Sequence, residues 1–322
     1  MSFCEMSTNA GQKIRESLTN IKGRLTVGAP LFRLSWFRTG GPADLLFEPT
    51  DEKDLAGFLR QLPSHIPVTV IGVGSNLLVR DSGVRGVVIR LGRAFSDIEA
   101  RGDLVKAGGG AMDAHVAKAA QKAGIGGLEF LIGIPGTLGG AVFMNAGAYN
   151  QELRDCLIHA RAVDRLGALH EIDPTQYEFS YRSSGLPEDW IITSVNLKGT
   201  IDECADIEKK MTQIMATRSD SQPIGTRTGG STFKNPDPLV SNDRSAWQLI
   251  DEAGMRGARV GDAQVSEKHC NFLINHGHAS AKDIEDLGNL VRESVLEKLG
   301  VELHWEIKII GEKGGYHDNA LL

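Results

Sequence analysis

VIGVGSNLLVRD, residues 70–81, opens as an apolar strand and breaks at once into Gly72, Gly74, Ser75 and Asn76. Backbone without bulky side chains approaches a ligand closely and can turn its N–H groups toward an anion. The dinucleotide pattern G-x-G-x-x-G does not fit here, because Leu77 stands at the third glycine position and LLVRDSG reads as strand and turn, not as the start of a helix. Nor does the chain contain the G-x-x-x-x-G-K-[ST] of a P-loop. Taken alone, the segment also reads as a plain hairpin turn. A second glycine-dense stretch, GIPGTLGGAVFMNAG at 133–147, places Pro135 where a helix starts, with Thr137 and small residues along one side. A helix end preceded by glycine suits a diphosphate, through its free N–H groups and positive dipole end. Two such loops, neither Rossmann nor P-loop, favour a dinucleotide held in another fold. The competing explanation is that these glycines only let helices and sheet pack closely.

Outward from these loops, the 322 residues suggest two or more domains, at roughly 150 residues each. The 38 glycines are about 12% of the chain against a usual ~7%, so much backbone must adopt conformations other residues avoid. Lys+Arg 35 against Asp+Glu 41 gives a net charge of −6 with no basic run, which argues against nucleic acid as a partner. Cys4, Cys156, Cys204 and Cys270 form no C-x-x-C pair and read as scattered thiols of a reducing compartment. His276 and His278 lack a third ligand, and His269 has no readable orienting partner, so no metal site is expected. Without an apolar leader in residues 1–23 or a run of about 18 apolar residues, the expected location is the cytoplasm, with no membrane partner.

Strand-like and helix-like pieces alternate from Ala43, which predicts α/β-type blocks. ADLLFEP, PVTVIGVG and GVVIRL read as strands, with a helix from Asp51 to near Leu62. This first block spans 21–92. A second, 93–217, holds a helix with Met112, Val116, Ala119, Ala120 and Ala123 in register and Gly124 as its cap. It continues through LIHARAVD and WIITSVNLKG to a helix striped by Ile207, Met211, Ile214 and Met215. A third, 218–311, has a helix over 246–252, the strand NFLIN, a long helix with Ile284, Leu287, Val291 and Val295 in register, and a final strand HWEIKIIG. Residues 1–20 and 312–322 are polar and unpatterned and are expected to be loose.

Three places carry reactive side chains. Tyr181-Arg182-Ser183-Ser184 offers a planar guanidinium that fits a carboxylate, or else a surface ion pair. GGSTFKNP sets Ser231 behind two glycines with Lys234 and Asn235 beyond; no G-x-S-x-G elbow exists, so hydrolase chemistry has no support. Glu306 sits among apolar neighbours in the last predicted strand, where a carboxylate is costly unless paired or functional.

Together, FRTGGPADLLFEP (37–49), VIGVGSNLLVRD (70–81), GIPGTLGGAVFMNAGAY (133–149), YRSS (181–184), GSTFKNP (230–236), AWQLIDEAGMRG (246–257) and EIKIIG (306–311) resemble the UDP-N-acetylenolpyruvoylglucosamine reductases. The order is unbroken, and the short stretch between Tyr181 and Ser231 is similar to the subclass lacking an extra tyrosine-bearing loop. The resemblance implies an α+β protein: two subdomains of a vanillyl-alcohol-oxidase-like FAD-binding fold plus a C-terminal α+β substrate-binding domain. It implies tightly bound FAD, NADPH as co-substrate, and reduction of UDP-N-acetylglucosamine enolpyruvate to UDP-N-acetylmuramate in peptidoglycan precursor synthesis. It assigns Ser231, Arg182 and Glu306 to catalysis, with Ser231 as proton donor and Glu306 as a neutral acid. FAD would be held by Gly72, Val73, Gly74, Ser75, Asn76, Leu77, Ile134, Pro135, Gly136, Thr137, Gly139, Gly140, Asn145, Ala146 and Gly147, and substrate by Tyr181, Arg227, Lys234 and Asn235. The alternatives are another FAD-dependent oxidase or dehydrogenase of the same fold, and a non-catalytic flavin sensor. The glycine loops serve all three readings, whereas the Ser231, Lys234, Asn235 and Glu306 set serves only the first.

Overall fold

PADLLFE forms the strand Pro42–Glu48, whose five central residues are buried: Ala43, Leu45 and Phe47 on one face, Leu46 on the other beside Asp44, which accepts from Arg85 and the Gly86 N–H. It lies inside a four-stranded sheet ordered Arg24–Pro30, Pro42–Glu48, Val84–Arg90, Val68–Ile71, the first pair antiparallel and the other two parallel. Parallel neighbours need a crossover, here the helix Glu52–Gln61. Asp51 caps it by accepting from the Asp54 N–H at 2.7 Å, and Phe58 stacks on Phe47 of the sheet at 4.0 Å between ring centroids.

The computed structural model describes residues 3–313. The expectation of a loose N-terminus does not hold: Phe3–Glu16 is a helix laid against the sheet. Among its described side chains the buried positions are Ser7, Gly11 and Ile14, two of them small residues that hydrophobic periodicity does not mark. Gly11 is required by the close approach, since a Cβ there would lie 1.8 Å from the Asp44 carbonyl oxygen. The expected loose C-terminus lies largely outside the described residues.

The second sheet is antiparallel throughout, ordered Leu169–Ile172, Leu157–Val163, Ile191–Lys198, Leu104–Gly108, Ile98–Arg101. The helix Asp113–Lys122 packs against it through Val116, Ala117 and Ala120, and the chain leaves at Gly124, φ +68°. Met112 flanks this helix and does not belong to its buried face. The helix Cys204–Ser221 runs four residues past the boundary expected at 217; it buries Ile207 and Met211 and leaves Met215 exposed.

In the last block the helix Ala281–Leu299 buries Ile284, Leu287, Val291 and Val295 completely, against a small sheet of Arg259–Val260, Ala263–Val265 and Leu273–Asn275. This core takes Phe37 and Leu78 from the first block, and Asn275 Nδ2 donates to the Phe37 carbonyl at 2.8 Å. The strand Lys308–Ile310 pairs in parallel with Leu77–Val79, directly after the first glycine loop. Glu306 therefore lies in the segment leading into that strand, between the Phe233–Trp305 bridge and Lys308, and not inside a long strand HWEIKII.

Gly288 on the long helix faces the Trp305 ring, and a Cβ there would lie 2.0 Å from Cη2. Gly288→Ala should overpack this contact and cost about 1–3 kcal/mol. Urea unfolding monitored by tryptophan fluorescence checks this; an unchanged midpoint would show that Trp305 repacks freely.

Candidate active site

A cavity of about 750 Å³ runs between the two glycine loops and the last block. The first loop turns at Gly74, φ +68°, where a Cβ would be 2.1 Å from the Leu34 carbonyl oxygen; that loop is further held by the Trp36 N–H donating to the Gly74 carbonyl. Gly72 faces Thr137 so closely that a Cβ would be 2.6 Å from Oγ1, which brings the two loops together. Among the described residues, the N–H groups of Val73, Gly74, Ser75 and Asn76 find no acceptor in the protein. Four consecutive free donors beside a cavity fit an anionic ligand such as the diphosphate of a dinucleotide. The second loop enters the helix Leu138–Phe143 after Thr137, three residues later than Pro135 suggested. Gly139 comes close to the strand Leu104–Gly108 by donating its N–H to the Gly109 carbonyl at 2.8 Å.

All the residues expected at the cofactor line this cavity except Asn145. Asn145 is fully buried: Nδ2 donates to Glu152 and to the Ser180 carbonyl, both at 2.9 Å, and Oδ1 accepts from the Arg154 N–H. Its side chain fastens the start of the YRSS turn to residues 152–154 instead of facing the cavity.

Arg182, Ser231 and Glu306 line the same cavity. Arg182 occupies a turn closed by two hydrogen bonds between Ser180 and Ser183, with φ +57°, a conformation costing an arginine about 1–2 kcal/mol. The turn aims the guanidinium inward, where Nε donates to Glu306 Oε1 at 2.8 Å, Nη2 donates to the Gly147 carbonyl at 3.2 Å, and the group lies over the Tyr181 ring. Burial pushes the Glu306 carboxyl above its ordinary range, while Arg182 and Lys234 pull it back only in part. Asn76 Nδ2 donates to the Glu306 carbonyl, tying the first loop to the acid. Ser231 follows Gly230, φ +80°, and its hydroxyl has no protein partner among the described residues. Asn271 clamps the residues just after it: its carbonyl accepts from the Thr232 N–H, Oδ1 accepts from the Phe233 N–H, and Nδ2 donates to the Phe233 carbonyl.

The four residues expected at the substrate do not line the cavity itself. Tyr181 stacks on Arg182, Lys234 lies near enough to act on Glu306, Asn235 Oδ1 accepts from the Ala246 N–H to start a helix, and Arg227 donates to the Gly277 carbonyl from an exposed position. The sequence reading missed Asn271, Arg218, Lys308 and Asp113; the last three line the cavity, Arg218 and Asp113 from helices with no local motif to mark them and Lys308 from within EIKIIG, where Glu306 alone was singled out. No three His, Cys, Asp or Glu side chains among the described residues come together as a metal site.

Residues 222–310 match the family model described as UDP-N-acetylenolpyruvoylglucosamine reductase, C-terminal domain, and residues 43–173 match that of an FAD binding domain. The UDP-N-acetylenolpyruvoylglucosamine reductase of Rhodospirillum rubrum is 55% identical over 296 residues, 92% of this chain and 93% of that one. The chain belongs to this family. The UDP-N-acetylenolpyruvoylglucosamine reductase of Parvibaculum lavamentivorans is 52% identical over 96% of this chain and 99% of its own. The solved structure of the UDP-N-acetylenolpyruvylglucosamine reductase from Thermus caldophilus superposes with a TM-score of 0.77 at 35% identity, covering 90% of this chain and 99% of that one. In this chain the glycine loops fall within the segment matching the FAD binding domain, and Ser231 and Glu306 within the segment matching the C-terminal domain, which closes the cavity.

Proposed function

We propose that the protein reduces the enolpyruvyl ether of UDP-N-acetylglucosamine to the lactyl ether, forming UDP-N-acetylmuramate for peptidoglycan, with FAD as cofactor and NADPH as electron donor. The observation that carries this reading is the convergence of Arg182, Glu306 and Ser231 on the cavity that the glycine loops line. The free N–H groups of residues 73–76 and the bare glycine backbone would hold the FAD diphosphate. FAD, when bound, supplies the hydride delivered to the terminal carbon of the enolpyruvyl group.

Negative charge then develops at C2 and spreads onto the substrate carboxylate. Arg182, fixed by Glu306 and the Gly147 carbonyl, provides a stationary cation for that charge, and its turn keeps the guanidinium from having to reorganise. Glu306 in its acid form donates a hydrogen bond to the developing enolate, a role its raised pKa supports. Ser231, whose hydroxyl is not engaged elsewhere, gives the proton to C2. Lys234 lies close enough to share the anionic load, while Tyr181 backs the Arg182 plane.

We place the reaction in the cytoplasm. The free thiols Cys156, Cys204 and Cys270 fit a reducing compartment, and no helix among the described residues is long and apolar enough to cross a membrane. A visible spectrum of the purified protein tests the whole reading. Yellow protein should bleach under anaerobic NADPH and regain its colour with UDP-N-acetylglucosamine enolpyruvate. Flavin that bleaches but ignores this substrate would move the assignment to another oxidoreductase, and protein that takes up no FAD would overturn it.

A further inference from the structure

Asp113 is the first residue of the helix Asp113–Lys122, fully buried, and neither of its carboxyl oxygens has a hydrogen-bond partner among the described residues. It nevertheless lines the cavity. Its N–H donates to the Gly136 carbonyl, and a Cβ on Gly136 would lie 2.8 Å from Oδ2, so the carboxyl rests against the backbone of the second glycine loop. An orphaned buried carboxyl destabilises the protein relative to an apolar residue of similar size, so its retention at this wall calls for a partner that only a ligand brings.

We propose that Asp113 is an uncharged carboxylic acid that donates a hydrogen bond to bound FAD at the second glycine loop. This rests on the FAD-dependent reading above. The chemistry points to a neutral acid because the four free N–H groups of the facing loop define an anion site, where a carboxylate would repel a phosphate and a carboxylic acid donates to it. Burial with no cation beside it also keeps the group protonated. The dipole at this end of the helix favours the charge but does not offset complete desolvation without hydrogen bonds.

The test compares wild-type holoprotein with Asp113→Asn and Asp113→Leu, following FAD release on dilution by flavin fluorescence. Asp113→Asn keeps the shape and a neutral donor and should bind FAD within about threefold of wild type, whereas Asp113→Leu should bind it roughly tenfold more weakly. The wild-type minus Asp113→Asn infrared difference spectrum, from which the Glu306 acid cancels, should also hold a carboxylic-acid carbonyl band that shifts in D2O. Overturning results are a leucine variant that holds FAD like wild type, an asparagine variant that loses it like leucine, or absence of the band. If the leucine variant does not fold, the asparagine variant and the infrared band decide. A wild-type protein that carries no FAD would instead sink the underlying functional reading.

Discussion

Ser231→Ala should retain NADPH-driven bleaching of the flavin and lose turnover of the enolpyruvyl substrate by roughly 10²–10⁴-fold, the range a positioned proton donor supplies. That fall corresponds to about 2.7–5.4 kcal/mol of transition-state stabilisation at 1.36 kcal/mol per tenfold. The variant is a clean one structurally. Because the hydroxyl has no protein partner among the described residues, deleting it orphans no other group, and Asn271 still holds Thr232 and Phe233 in place. A serine hydroxyl is a weak acid, but the carbanionic carbon is a strong base, and Arg182 and Lys234 in the same region favour the alkoxide left behind. Stopped-flow traces of the two half-reactions separate the outcomes. If bleaching by NADPH also collapses, Ser231 is structural; if reoxidation by substrate is unimpaired, another group donates the proton.

Glu306→Gln should lower kcat by roughly a hundredfold while changing KM little, because the interaction strengthens mainly in the transition state. The glutamine carbonyl can still accept from Arg182 Nε, as Oε1 does at 2.8 Å, leaving the amide N–H₂ where the acid O–H would donate. Shape and pairing survive, so the loss reports the stronger donor strength of the carboxylic acid. The pH profile adds an independent readout. Burial raises the Glu306 pKa, so the acid form persists above the ordinary glutamate range and kcat should fall as pH rises through that raised value. Glu306→Gln should lack this limb. An unchanged kcat, or a limb that persists in the variant, removes Glu306 from the mechanism.

Local patterns were enough wherever the physics is local. The heptad-like spacing of Ile284, Leu287, Val291 and Val295 specifies one buried helix face, and that face is completely buried. The failure of the third glycine in VIGVGSNL to appear before a helix correctly pointed to a strand, Leu77–Val79. By contrast, the helix Phe3–Glu16 was illegible because, of its described buried positions, Ser7 and Gly11 contribute closeness of approach and only Ile14 hydrophobic area. Asn145 misled because its motif position lies in a cavity-lining segment, while its left-handed backbone, φ +45°, turns the side chain into the interior.

The sequence by itself determined the alternating strand and helix blocks, the two glycine loops outside the Rossmann pattern, and the order of motifs that carries the family resemblance, because periodicity, glycine placement and motif order all act over short stretches of chain. Only the tertiary structure decided that Arg182 pairs with Glu306, that Lys308–Ile310 returns to Leu77–Val79 and so carries Glu306 to the first loop, and that Asp113 ends buried and unpartnered at the cavity wall. Contacts between distant segments depend on which surfaces desolvate each other, and no local spacing encodes that.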